Sequence, residues 1–137
     1  MRIVSDSIGQ YVLNFGTKTE IENGKIFVWG CLYANCGASI QNEMALTLAH
    51  GHEYLQAQIA SGISPQEAAT NITFQLALGN SYFDEMSKIR AFRTLWNTVL
   101  TQYGIENQYT TIHAENSNFY QSNLDLHNNL LRGTTAA

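Results

Sequence analysis

The chain has 137 residues, enough for one domain with a real core, and sets seven Lys+Arg against eleven Asp+Glu for a formal net charge of −4. With so few cations no basic patch is available, which argues against nucleic acid or an anionic membrane as a partner. No apolar run of the ~18 residues a membrane span needs is present either. Two cysteines are too few for a disulfide scaffold and the first residues lack the pattern of a signal peptide, so a reducing cytoplasm is the expected setting. Charged residues make up 13% of the chain, about half the usual ~25%. Either an Asn/Gln/Thr-rich surface replaces them, or part of the surface is covered by something else.

Residues 1–25 form a segment to which no domain is assigned. Arg2–Ser5 and Tyr11–Phe15 read as short strands, and Asn23-Gly24 as a hairpin turn. The remaining residues, 26–137, read as one α/β domain. Ile26–Trp29 is a short apolar run that fits a buried strand ending at Gly30, followed by a loop over residues 31–38. Ser39 caps a helix with an apolar stripe of Met44, Leu48, Leu55 and Ile59. Gly51 inside it marks either close packing or local weakness, since glycine costs up to ~1 kcal/mol there. Ser64-Pro65-Gln66-Glu67 is a capping box that opens a helix of about two turns.

Ile72–Leu78 alternates apolar Ile72, Phe74, Leu76 and Leu78 with Thr73, Gln75 and Ala77, the pattern of a strand. From Tyr82 the period changes. Tyr82, Met86, Ile89, Phe92, Trp96, Val99/Leu100 and Tyr103 recur at helical spacing, with Asn80 or Ser81 as cap and Gly104 as the stop. Lys88, Arg90 and Arg93 on this helix read as a solvated face or partner contact. Tyr109–His113 reads as a third strand, residues 116–123 as polar loop, and Leu124 to about Arg132 as a last helix. The alternation of strands and helices predicts parallel βα units.

Single residues give few handles on chemistry. His50 and His52 lie two apart on a helix and so face different ways. Cys31 and Cys36 lack the spacing of structural zinc sites, and no metal site is expected. Asp125-Leu126-His127 resembles the Asp-x-His-x-x-Gly motif that supplies a lower ligand to cobalamin, but Leu130 replaces its glycine and a helix starts there. His113, near the end of a strand, is the best single candidate for a site.

Three blocks carry a resemblance. They are Tyr33–Ser39 with Leu46–His50 and Glu53–Leu55, then Gly79–Trp96, then Ile112–Ser117 with Asn128–Thr135. Together they resemble the methylmalonyl-CoA mutase family, adenosylcobalamin-dependent isomerases with a (β/α)8 TIM-type substrate barrel. The resemblance covers residues 26 to 137 and implies that these βα units form part of such a barrel. In catalytic chains of the family a Tyr-His pair follows the glycine at the end of the first of these strands, whereas Gly30 is followed by Cys31-Leu32. The CoA-contacting arginine and serine of the family fall on Asn71 and Thr73. His113 matches a histidine of the family, with Glu115 in place of a glutamine. Thr73, Gln75 and His113 are therefore the implied substrate-facing residues, and no catalytic residue is expected.

This pattern resembles the non-catalytic small subunit. It implies a structural role beside a catalytic large subunit in a heterodimer, with adenosylcobalamin held mainly by that partner. The alternatives are a stand-alone α/β module that dimerises and binds a CoA-like or other small ligand, and a fragment of an active mutase chain.

Overall fold

The computed structural model describes residues 26–106, 108–122 and 124–136. The strands and hairpin expected before residue 26 lie outside these residues. In chain order the elements are β1 (Ile26–Trp29), α1 (Cys31–Asn35), α2 (Ile40–Ala60), α3 (Pro65–Asn71), β2 (Ile72–Leu78), α4 (Tyr82–Thr101), β3 (Thr111–Asn116), a 3-10 turn (Asn118–Tyr120) and α5 (Leu126–Ala136). The three strands form one parallel sheet in the order β1-β2-β3. Trp29 pairs with Gln75, and Gln75 in turn with His113. The expected α/β class with parallel βα units is what the structure shows.

Parallel register sorts the side chains into two sheet faces. Ile26, Val28, Ile72, Phe74 and Leu76 lie on one face and are buried with Tyr54 and Leu55 of α2 and Phe92, Trp96 and Leu100 of α4. Phe74 is the hub: its ring centroid stands 4.9 Å from Phe92 and 4.8 Å from Trp96, both edge-on. The other face carries Phe27, Trp29, Thr73, Gln75, Ala77, Thr111, His113 and Glu115.

The local signals act as expected at several boundaries. The Ser39 hydroxyl accepts the Asn42 N–H at 3.3 Å, and Ser64 accepts the Glu67 N–H at 3.3 Å with Pro65 in the first helical position. Gly104 takes φ +74°, and the Ile105 N–H returns to the Leu100 carbonyl at 3.2 Å. Ser81 differs: its hydroxyl donates to Asp84 Oδ2 at 2.6 Å and makes no cap bond to the backbone.

Three readings of element bounds need correction. Residues 31–35 form the short helix α1, because the chain turns directly out of β1 and the Tyr33 N–H bonds the Gly30 carbonyl at 3.0 Å. The third strand is Thr111–Asn116, displaced toward the C-terminus by its pairing with Thr73–Leu78, so His113 lies mid-strand and Tyr109 lies outside. The Arg93 guanidinium sits 5.8 Å from the Tyr109 ring centroid. The last helix runs on to Ala136.

The buried stripes of the two long helices are also rotated from the apolar ones. In α2 the buried positions are Glu43, Thr47, Gly51, Tyr54, Leu55 and Gln58, with Met44, Leu48 and Ile59 only partly buried. In α4, Glu85 and Lys88 are buried while Tyr82 and Met86 are exposed. Lys88 therefore does not share the solvated face of Arg90 and Arg93. A polar cluster between the helices, described below, sets this rotation. Gly51 marks close packing: a β-carbon there would lie 2.6 Å from Phe74 Cε1.

Candidate functional site

The non-core face of the sheet gathers the residues singled out above. Gln75 and His113 are register neighbours on adjacent strands, and Thr73 lies one row below Gln75. Glu115 stands one row above His113, beside the first turn of α1. The Gln75 side-chain amide donates to Glu115 Oε2, and the Cys31 thiol donates to the same oxygen at 3.9 Å. One carboxylate thus ties β3 to β2 and to the residue that leaves β1. The His113 ring lies 5.5 Å from that of Phe27.

Cys31 is 7% exposed. Burial pushes its thiol up to about 11, the charges of Glu115 and then Glu43 add to this, and a backbone hydrogen bond acts the other way. The thiol is thus protonated at neutral pH and is no nucleophile. Leu32 is half-buried and offers no donor. Asn71 spends its amide inside the fold, donating to Gln58 Oε1 at 3.3 Å.

At the C-terminal end of β2 lies a feature that the sequence reading missed. The chain leaves β1 at Gly30, where a β-carbon would come 2.6 Å from the Gln75 carbonyl oxygen. Beyond Gln75, β2 therefore has no strand on its β1 side among the described residues. The Leu78 carbonyl accepts from the Ser117 N–H at 2.9 Å on the β3 side, so the polar groups of Ala77 point toward the vacated side. Two side chains meet them there. Glu43 Oε1 accepts the Ala77 N–H at 2.8 Å, and Lys88 Nζ donates to the Ala77 carbonyl.

The two side chains pair with each other at 3.0 Å, and Glu85 Oε2 lies 2.5 Å from the same ammonium, out of hydrogen-bond alignment and hence chiefly ionic. All three are buried. The excess negative charge sits in the first turns of α2 and α4, where helix dipoles favour it. A signal existed: Glu85, Lys88, Phe92, Trp96 and Leu100 recur at three- and four-residue steps, so two charges lie in phase with the apolar stripe. Beside this clamp opens a cleft of about 280 Å3, lined by Ser39, Glu43, Ser81, Lys88, Ser117 and Tyr120 among others.

The remaining candidates are held apart. His50 meets the Tyr33 hydroxyl at 2.9 Å and His52 that of Tyr103 at 2.8 Å, on opposite sides of α2. Cys31 is buried, Cys36 is exposed, and both are free thiols. Among the described residues no group of three or more His, Cys, Asp or Glu comes together to hold a metal ion. His127 lies exposed in the first turn of α5, where Asp125 Oδ1 accepts its backbone N–H at 3.1 Å. Asp125 is thus a helix cap. Among the described residues no helix is long and apolar enough to cross a membrane.

Consecutive parallel βα units with helices packed on one sheet face, and a polar face turned the other way, define an α/β protein of the class that builds TIM-type barrels. The family model for methylmalonyl-CoA mutase matches residues 1–137, including the first 25, for which the motifs gave no reading. The chain belongs to the methylmalonyl-CoA mutase family. It is 30% identical over 135 residues to a methylmalonyl-CoA mutase of Rhizobium meliloti, covering 96% of this chain and 18% of that protein. Its identity to the small subunit from Porphyromonas gingivalis is 36% over 106 residues, 74% of this chain and 17% of that one. The large subunit of the same organism is 30% identical over 135 residues, 96% and 18%. The chain thus spans less than a fifth of the length of these relatives.

Proposed function

We propose that the chain is a segment of the small subunit of an adenosylcobalamin-dependent methylmalonyl-CoA mutase, acting in the cytoplasm as structural support for a catalytic large subunit. The observation that carries this reading is the pair Cys31-Leu32 directly after Gly30. There the resemblance places a Tyr-His pair in catalytic chains, and here stand a buried protonated thiol and an alkyl side chain. The higher identity to a small subunit supports the same reading. Residues 26–137 contribute βα units to the barrel, and Thr73, Gln75 and His113 face its interior. Isomerisation of methylmalonyl-CoA and succinyl-CoA, and the cofactor that carries the radical chemistry, belong to the partner chain.

Co-expression with a tagged catalytic large subunit, followed by affinity capture and size-exclusion chromatography, tests the proposal. The two chains are expected to elute together, and acyl-CoA is expected to leave the melting temperature of the isolated 137-residue chain unchanged. A chain that elutes alone and is stabilised by acyl-CoA would overturn the structural role in favour of a stand-alone binding module. Turnover by the chain with cofactor alone would favour a fragment of an active mutase.

A further inference from the structure

The five residues of α1 make a helix too short to hold itself. An isolated helix under ~12–15 residues is marginal in water, and α1 has no side-chain cap at Gly30, no acidic first turn and no basic last turn. Its burial is thin: Cys31 is buried, Leu32 to Asn35 are half-buried, and Cys36 and Gly37 are exposed. The elements on either side are anchored in the core, with Val28 of β1 and Thr47 of α2 fully buried. Side-chain bonds tie α1 down at three points. The Cys31 thiol reaches Glu115 Oε2 at 3.9 Å, a weak contact, and the Tyr33 hydroxyl meets His50 at 2.9 Å. At the far end Asn35 Oδ1 accepts both the Ser117 hydroxyl at 3.1 Å and the Asn118 N–H at 2.9 Å. Just beyond, Gly37 takes φ +90°, a conformation open to glycine at no steric cost. Ala34 and Ala38 stand in one wall of the cleft beside the clamp, and Ser117 and Tyr120 in another. The Asn35 amide therefore joins two walls of that cleft.

We propose that residues 31–37 form a strap that opens as a unit while the sheet, α2 and α4 stay folded, with Asn35 as its latch. Opening releases one wall of the cleft and uncovers the Cys31 thiol. Segments with few buried contacts open at free energies well below that of global unfolding. Here the latch sets that cost through two hydrogen bonds to a single oxygen, so the loss of one side chain shifts the balance between closed and open strap.

The 137-residue chain carrying Cys36→Ser, which leaves Cys31 as its sole thiol, is the parent for the test. It is reacted with excess iodoacetamide at about pH 8 and followed by mass spectrometry, from no urea up to the unfolding midpoint. Alkylation of Cys31 is expected to be slow, at a rate that stays flat with urea well below the midpoint, because local opening exposes little surface. Asn35→Ala is expected to speed it about tenfold. Asn35→Asp keeps an acceptor oxygen in place and is expected to stay within about twofold of the parent. Ile72→Val trims the buried start of β2 and weakens the closed and open forms alike, so its rate is also expected within about twofold. A rate that climbs from the first addition of urea at the full slope of global unfolding overturns the proposal. So does an Asn35→Ala rate equal to the parent's, an Asn35→Asp rate as fast as that of Asn35→Ala, or an equal response to Ile72→Val. Should Asn35→Ala fail to fold, the urea dependence of the parent decides alone.

Discussion

Replacing Lys88 with methionine isolates the contribution of the clamp at Ala77. The parent ammonium lies 3.0 Å from Glu43 Oε2 and 2.5 Å from Glu85 Oε2, with side-chain exposures of 1%, 2% and 11% for Lys88, Glu43 and Glu85. Methionine fills nearly the same volume, so packing is largely kept. What changes is that two carboxylates face each other with no cation, and the Ala77 carbonyl loses its donor. Removing one partner of a buried pair costs about 3–5 kcal/mol. A domain has about 5–15 kcal/mol in all. The urea midpoint should fall by on the order of 2 M at a slope of about 1–3 kcal/mol per molar.

The triple variant Glu43→Gln, Lys88→Met, Glu85→Gln removes the stranded charges, and the amide at position 43 can still accept the Ala77 N–H. It should return to within about 1–2 kcal/mol of the parent. Equilibrium urea unfolding followed by Trp96 fluorescence measures all three proteins. A single variant that loses under about 1 kcal/mol, or a triple variant no more stable than the single, would refute the reasoning.

Two further outcomes follow from the packing and from Cys31. Gly51→Ala gains helix propensity of up to ~1 kcal/mol but drives a methyl into the Phe74 ring, an overpacking worth about 1–3 kcal/mol. A lowered urea midpoint at unchanged slope is expected, and a stabilised variant would contradict the close approach. The Cys31 thiol is raised from 9.0 to about 11 in the folded chain, so its protonated form is favoured by folding. The associated stability is fully present below about pH 9 and is lost as pH rises through about 11. Urea midpoints should therefore fall more steeply over that window in the parent than in Cys31→Ala. Iodoacetamide at pH 8 should label exposed Cys36 and spare Cys31, which mass spectrometry of the native chain decides.

The elements whose signal is local were legible in the sequence. Ser39 and Ser64 mark true helix starts and Gly104 a true stop, because a cap depends on only a few neighbouring residues. The alternation in Ile72–Leu78 matches the two faces of β2 for the same reason. The third strand was displaced because its bounds are set by pairing with β2, which no window of sequence contains. The helix faces were misjudged for another reason. Burial was read from apolarity alone, whereas Glu43, Glu85 and Lys88 are buried as a mutually neutralising group that forms only when α2 and α4 meet over Ala77. On the polar face, alternation put Thr73 and Gln75 on one side of β2, whereas their placement beside His113 came from the register of the strands. The bond that joins Gln75 and Cys31 to Glu115 needed the three-dimensional register.

The clamp also bears on which chains this sheet can recruit. A β-strand that ends its partnership early normally exposes a free ladder, and any other extended chain can add itself there. Along β2 that opening begins just past Gln75, and Glu43 and Lys88 already hold both polar groups of Ala77. An arriving strand would have to displace a buried ion pair before making its first hydrogen bond. The same residues that fasten two helices therefore insulate the open end of β2 against fibre-like addition, and a variant lacking them would expose a template for self-association.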